Sequence, residues 1–102
     1  MMEGSALERL KSAKPFIAAQ GAMMCVVKGC VDDEERVAIV RLSNAEDTDF
    51  RIAGRTLHDW VLATMDVLDI RKCEENEDSE VWGLIDMMKD PVWKADMKQI
   101  LA

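Results

Sequence analysis

Residues 32–42, with the sequence DDEERVAIVRL, decide the fold class of this chain. Asp32 and Glu35 stand at capping-box spacing, and negative charge stabilises a helix N-terminus, so the stretch has the features of a helix start. The residues after Arg36 are mostly β-branched, however, and the same run also suits a buried strand. No second β-rich segment offers an obvious pairing partner, and a lone strand cannot satisfy its backbone. We therefore predict a helix over residues 36–42, with a strand as the alternative.

Toward the N-terminus, two helices are predicted. Ser5 and Glu8 form a capping-box pair, which indicates a helix start. Pro15 removes a backbone donor and crowds the preceding turn, so we expect a break near Lys14 and a second helix from Pro15. Gly29 indicates where that second helix ends, because glycine is the usual residue after a helix C-terminus.

The middle of the chain allows two helix starts. Residues 43–49 are polar and are predicted to form a loop. If the repeat of apolar residues that begins at Phe50 belongs to one helix, that helix begins at Thr48 or Asp49. It begins after Thr56 if the capping pair at that position is used, and residues 50–53 are then a lead-in turn.

The C-terminal part contains an acidic loop and two further helix starts. The loop covers residues 73–78, and Asp78 or Ser79 caps the short helix that follows. Asp90 followed by Pro91 marks another helix start, because proline lacks an amide that the first helical position does not use. We expect an all-α fold, a compact bundle of five or six short helices.

Size and composition indicate one domain over residues 1–102, with 49% hydrophobic and 32% charged residues. No apolar run approaches the ~20 residues that a membrane span needs. The first residues lack the basic region of a secretory signal. We therefore expect a cytoplasmic protein whose three cysteines are reduced.

The net charge of −7 argues against direct binding to nucleic acid or to anionic membranes. It suits a protein partner with a basic surface. The acidic residues are concentrated in three clusters, at residues 32–35, 46–49 and 74–80.

The residue types that carry chemistry are few. His58 is the only histidine, and Asp59 beside it on a helix would face another way, so the two form no proton relay. Cys25 and Cys30 lack the spacing of zinc or redox motifs, and Cys73 is far along the chain. We predict no catalytic residues, no metal site and no cofactor. A thiol- or metal-dependent redox protein that uses these four side chains is the rival hypothesis.

Eight methionines and three tryptophans supply apolar surface for either a core or an adaptable binding face. Trp93 has surface-like neighbours, so it is our choice for an exposed tryptophan; the alternative places all three in the core. A homo-oligomer that buries a methionine face is a further alternative. The predicted partner-binding residues are Glu46, Asp47, Asp49, Glu74, Glu75, Glu77, Asp78, Trp93 and Met97.

Residues 81–91, with the sequence VWGLIDMMKDP, and the helix after them resemble the closing box of a family of uncharacterised prokaryotic helical proteins. In that box a glycine precedes an apolar pair, whereas Gly83 here follows the tryptophan. The resemblance implies a helical accessory protein that accompanies an oxidoreductase of formate or sulfur metabolism. It implies no catalytic residue.

Taken together, these features predict a non-enzymatic accessory or regulatory protein that binds another protein through acidic clusters and a helical surface bearing methionine and tryptophan. The alternative within the same class is an inhibitor or immunity-type protein, of the kind that phages encode. Such a protein would block a cationic nucleic-acid-binding site by charge mimicry.

Overall fold

The computed structural model describes residues 5–45, 51–74 and 78–101, which form six α-helices and a two-stranded β-hairpin. This architecture confirms the predicted all-α bundle. The elements in chain order are α1 (Ala6–Leu10), α2 (Pro15–Lys28), α3 (Asp33–Asn44), β1 (Arg51–Ile52), β2 (Arg55–Thr56), α4 (Leu57–Val67), α5 (Ser79–Met88) and α6 (Pro91–Ile100).

The start of α3 shows why residues 36–42 are helical. The Asp32 carboxylate accepts from the Glu35 amide at 2.7 Å, and the Glu35 carboxylate accepts from the Asp32 amide at 3.0 Å. This complete capping box satisfies two donors that a helix start leaves open. The helix then continues to Asn44, so the predicted loop starts later than residue 43. The Ser43 hydroxyl donates to the Val40 carbonyl at 2.6 Å, which satisfies its polar group within the helix.

The two prolines stand at helix starts, as predicted. Pro15 is the first residue of α2 and Pro91 the first of α6, where the missing amide costs no hydrogen bond. The Asp90 carboxylate caps α6 by accepting from the Val92 amide at 2.8 Å. Gly29 ends α2 with a φ of 82°, a left-handed conformation that glycine adopts without steric cost. Among the described residues, no helix is long and apolar enough to span a membrane.

The expectation that the chain lacks a strand pair was wrong at one place. β1 and β2 pair antiparallel through a two-residue turn in which Ala53 and Gly54 have φ values of 55° and 81°. Positive φ at both central residues is the geometry of a type I′ hairpin turn, and Gly54 was its signal in the sequence. The Trp60 indole N–H donates to the Ile52 carbonyl at 3.0 Å and ties the hairpin to α4.

The hairpin also decides between the two predicted starts of α4. Thr56 and Asp59 form a complete capping box, so the helix begins at Leu57 rather than near Asp49. The predicted start at Thr48 or Asp49 and the rest of the predicted loop, residues 46–49, lie outside the described residues.

The core is built around α2 and α4, which pack on each other and contribute to two apolar clusters. In the first cluster they meet α5, with α6 at the edge. In the second they meet α1 and α3. The side chains that are almost completely buried include Leu10, Val26, Ile39, Val61, Leu84, Ile85 and Met88.

The crossing of α1 and α2 depends on Gly21. A Cβ atom at this position would lie 2.7 Å from the Leu10 amide nitrogen and 2.9 Å from the Ala6 carbonyl oxygen. Both atoms belong to the backbone of α1, so no side-chain movement could relieve the contact. Ala22 and Cys25, further along α2, are also small and fully buried, and they pack in the same cluster as α1. Small side chains on this face of α2 therefore allow the close approach of α1.

Candidate protein-binding surface

The predicted partner-binding residues fall into two groups. Glu46, Asp47, Asp49, Glu75 and Glu77 lie outside the described residues. Of the remaining acids, Glu74 and Asp78 are exposed. Asp78 also caps α5, since its carboxylate accepts from the Glu80 amide at 2.9 Å.

The structure corrects the choice of exposed tryptophan. Trp93 is half-buried and packs against the first core cluster, whereas Trp82 has 36% of its surface exposed and Trp60 only 3%. The reason lies in the helix faces. Trp93 stands on the side of α6 that faces the bundle, while the inner face of α5 is already occupied by Val81 and Leu84.

The described methionines belong to the core and its edge rather than to an exposed face. Met23, Met65 and Met88 are buried, and Met24, Met87 and Met97 are half-buried against the clusters. The described methionines therefore follow the core alternative, and the binding role predicted for Met97 stays a prediction. Their flexible side chains fill gaps where several short helices meet.

Trp82 stands on the outer face of α5 between two carboxylates. Asp78 precedes it by four residues and Asp86 follows it by four, and all three side chains are exposed. Trp82 and Asp86 both lie within α5, where residues four apart are surface neighbours with about 5–6 Å between their Cβ atoms. Asp78 is the N-cap before the first turn, and its carboxylate turns back to the Glu80 amide. The outer face of α5 therefore presents an indole ring with one carboxylate a helical turn after it and a second at the start of the helix. We refer to Asp78, Trp82 and Asp86 as the α5 triad.

Two cationic side chains lie near the α5 triad but leave its carboxylates unpaired. The Arg55 guanidinium lies close to Gly83, and its Nη1 donates to the Ala53 carbonyl at 3.3 Å. The Lys89 ammonium lies 4.0 Å from the buried Asp66 carboxylate. Within the part of the chain that the structure describes, no ion pair involves Asp86. The triad is thus open to an external cation.

The outer side of α6 is a second exposed apolar region. Val92 and Ile100 are each 68% exposed, and no residue of α6 itself is fully buried. Asp96 lies between them, four residues from each. Isolated apolar side chains of this kind are common on soluble proteins and need no partner.

A groove of about 640 Å³ lies between α1, α2 and α6. Its apolar walls include Met24, Val27 and Leu101. Of its polar lining residues, Lys28 and Glu35 pair with each other, since the Lys28 ammonium donates to both oxygens of the buried Glu35 carboxylate at 2.7 and 2.8 Å. The volume falls within the range of small-molecule sites, and the exposed Ser5 and Lys98 also line the groove.

His58 is half-buried and lines a groove of about 420 Å³ with Asn44 and Arg71. Its neighbour Asp59 is committed to the capping box of α4, so the two form no catalytic relay. Across the described ranges, no three His, Cys, Asp or Glu side chains are placed to hold a metal ion.

The three cysteines lie in different environments. Cys25 is fully buried in α2, and Cys30 is exposed just after that helix ends. Burial, and then the nearby Glu35 carboxylate, raise the pKa of the Cys25 thiol to about 12. A hydrogen bond to Glu35 raises the pKa of Lys28 as well, so its ammonium stays charged. Because the thiolate is the reactive form, Cys25 is inert at neutral pH.

We expect the thiols to react at very different rates with a small aromatic disulfide reagent. Cys30 should react at once, Cys73 more slowly, and Cys25 only when the protein unfolds. Mass spectrometry of briefly treated native protein should show a single label on Cys30. Rapid labelling of Cys25 in the native state would contradict the buried position of this thiol.

No protein-family model matches the chain, and no match was found among the curated proteins or the solved structures. The resemblance of residues 81–91 to a prokaryotic accessory family therefore stays a prediction.

Proposed function

We propose that this chain is a non-enzymatic protein that binds another protein with a basic surface, and that the outer face of α5 is its docking surface. The observation that carries the proposal is the α5 triad, in which an exposed tryptophan stands between two unpaired carboxylates. Tryptophan is enriched among the residues that dominate binding energy, and flanking charge selects the partner.

The charge of the whole chain supports the same partner chemistry. The net charge of −7 attracts a cationic surface over distances longer than direct contact. Glu80, in the first turn of α5, is exposed and adds to the negative potential of the triad. Long-range attraction would speed association, while burial of the indole would supply most of the affinity.

The test begins with capture of partners on immobilised full-length protein at low salt, followed by identification and purification of each captured protein. Its dissociation constant is then measured for the wild type and for Trp82→Ala. We expect the substitution to weaken binding by about 30-fold or more, the effect of removing an interface anchor. Raising the salt concentration should weaken wild-type binding strongly, because exposed charges are screened.

Val92→Ala is the matched control, since it removes another exposed apolar side chain from a neighbouring helix. Its affinity should stay within a factor of two or so of the wild type, the spread seen for ordinary surface changes. Equal losses for the two variants, or binding that ignores salt, would count against α5 as the docking surface.

The identity of the captured protein separates the two versions of this proposal. An oxidoreductase subunit would support the accessory role that residues 81–91 suggest by resemblance. A nuclease or another nucleic-acid-binding protein would support inhibition by charge mimicry.

A further inference from the structure

We infer that the α5 triad recognises an arginine side chain of its partner, with the guanidinium group stacked on the Trp82 ring. This inference rests on the proposed function and goes further, because it names the chemical group that the surface accepts.

The indole ring attracts a cation, the Asp86 carboxylate can pair with it, and Asp78 adds negative charge at the start of the helix. A guanidinium within about 6 Å of a tryptophan ring centre is drawn to the negative face of the ring. Asp86 lies one helical turn after Trp82 on the same face of α5, and the exposed Asp78 stands at the N-cap of the helix. An apolar partner residue would instead strip water from both carboxylates without replacing their hydrogen bonds.

The carboxylates have free acceptor capacity. One oxygen of Asp78 accepts from the Glu80 amide at 2.9 Å, which leaves its second oxygen available. Asp86 forms no hydrogen bond or ion pair within the described residues. The two local cations point elsewhere, since Arg55 donates to the Ala53 carbonyl and Lys89 faces Asp66.

Arginine fits this arrangement better than lysine. Its planar guanidinium can lie flat on the indole while its five N–H donors point outward in the plane of the ring. Donors at its edge can therefore pair with the Asp86 carboxylate while the plane lies on the ring. A lysine ammonium is a compact, strongly hydrated charge, and it can neither stack as a plane nor present a fork of donors.

The test uses the full chain and three peptides, acetylated tetra-arginine, tetra-lysine and tetra-citrulline amides. Citrulline keeps the planar shape of arginine and lacks its charge. Binding is followed through the indole N–H signals in nitrogen–proton correlation spectra, with Trp82→Phe used to assign the signal of Trp82. We expect tetra-arginine to bind about 10-fold more tightly than tetra-lysine, and tetra-citrulline to shift no signal.

Two sets of variants show where the preference arises. Trp82→Ala should reduce tetra-arginine binding to the level of tetra-lysine, since general charge attraction remains. The double variant Asp78→Asn with Asp86→Asn should remove the preference as well, and asparagine still caps α5 at position 78. Val92→Ala should keep the wild-type preference.

Equal affinity of the wild type for tetra-arginine and tetra-lysine would overturn the inference. So would an arginine preference that survives in Trp82→Ala. Either result leaves the proposed function standing if a captured partner still loses affinity with Trp82→Ala. Conversely, an arginine preference at Trp82 with no saturable protein partner would support this inference and contradict the proposed function.

Discussion

Replacing Gly21 by alanine should destabilise the protein by about 3 kcal/mol, the upper range for forcing an extra carbon into a tightly packed core. The added Cβ would lie 2.7 Å from the Leu10 amide nitrogen and 2.9 Å from the Ala6 carbonyl oxygen. Both are backbone atoms, so α1 would have to move away from α2 and give up part of the second cluster. Urea unfolding followed by circular dichroism measures the change.

Gly83→Ala is the matched control, since it makes the same change in the middle of α5. A Cβ there would lie 3.6 Å from the Arg55 Nη2 atom, an ordinary contact. Alanine favours a helix over glycine by roughly 0.5–1 kcal/mol, so this variant should be slightly more stable than the wild type. Replacing glycine by alanine should therefore destabilise the protein at position 21 and stabilise it at position 83. A Gly21→Ala variant as stable as the wild type would show that α1 does not pack closely on α2.

Alkaline pH should destabilise the protein through Cys25. Burial raises the pKa of this thiol to about 12, whereas its ordinary value is 9.0. Above pH 9 the unfolded chain therefore releases the thiol proton and the folded chain keeps it, so stability falls as pH rises. The stability that the folded protein owes to the protonated Cys25 thiol is fully present below pH 9 and is lost as the pH rises to about 12. Each pH unit in this window costs about 1.4 kcal/mol, which gives a loss of 2–3 kcal/mol near pH 11.

The comparison that isolates this effect is Cys25→Ala against Cys30→Ala. Urea unfolding near pH 8 and near pH 11 should show a much smaller alkaline loss for Cys25→Ala than for the wild type. Cys30 is exposed, so Cys30→Ala should follow the wild type. The raised pKa of Lys28 acts in the same direction and stays present in all three proteins. Parallel pH profiles for the wild type and Cys25→Ala would contradict the explanation.

The helix starts were predictable because capping is local. Asp32 with Glu35, Thr56 with Asp59, and Asp90 before Pro91 each act within three residues of one another, so their spacing is visible in the sequence. The same logic identified the start of α4 after Thr56, while the apolar stripe suggested the earlier start at Thr48 or Asp49. Choosing between them required the hairpin, whose turn places Thr56 at the helix N-terminus and whose Ile52 carbonyl receives the Trp60 indole N–H.

The residues of the candidate site could be read from the sequence only in part. The acidic clusters drew attention to Asp78, but periodicity gave no reason to prefer Trp82 over Trp93. Both tryptophans lie on amphipathic helices, and their exposure depends on how far each helix is covered by the rest of the bundle. α5 packs its inner face on α4 and projects Trp82 outward, while α6 turns Trp93 toward the core.

The sequence by itself determined the all-α class, the starts of most helices and the acidic character of the surface, because these follow from residue type and short spacing. The tertiary structure alone decided the close approach at Gly21, the inert state of Cys25 and the exposure of Trp82. Each of these depends on atoms far along the chain, or on how completely the rest of the bundle covers a side chain. Residues 32–42 show both the local and the tertiary contribution. Their capping box depends on residues three apart in the sequence, whereas the burial of Ile39 depends on the helices packed around it.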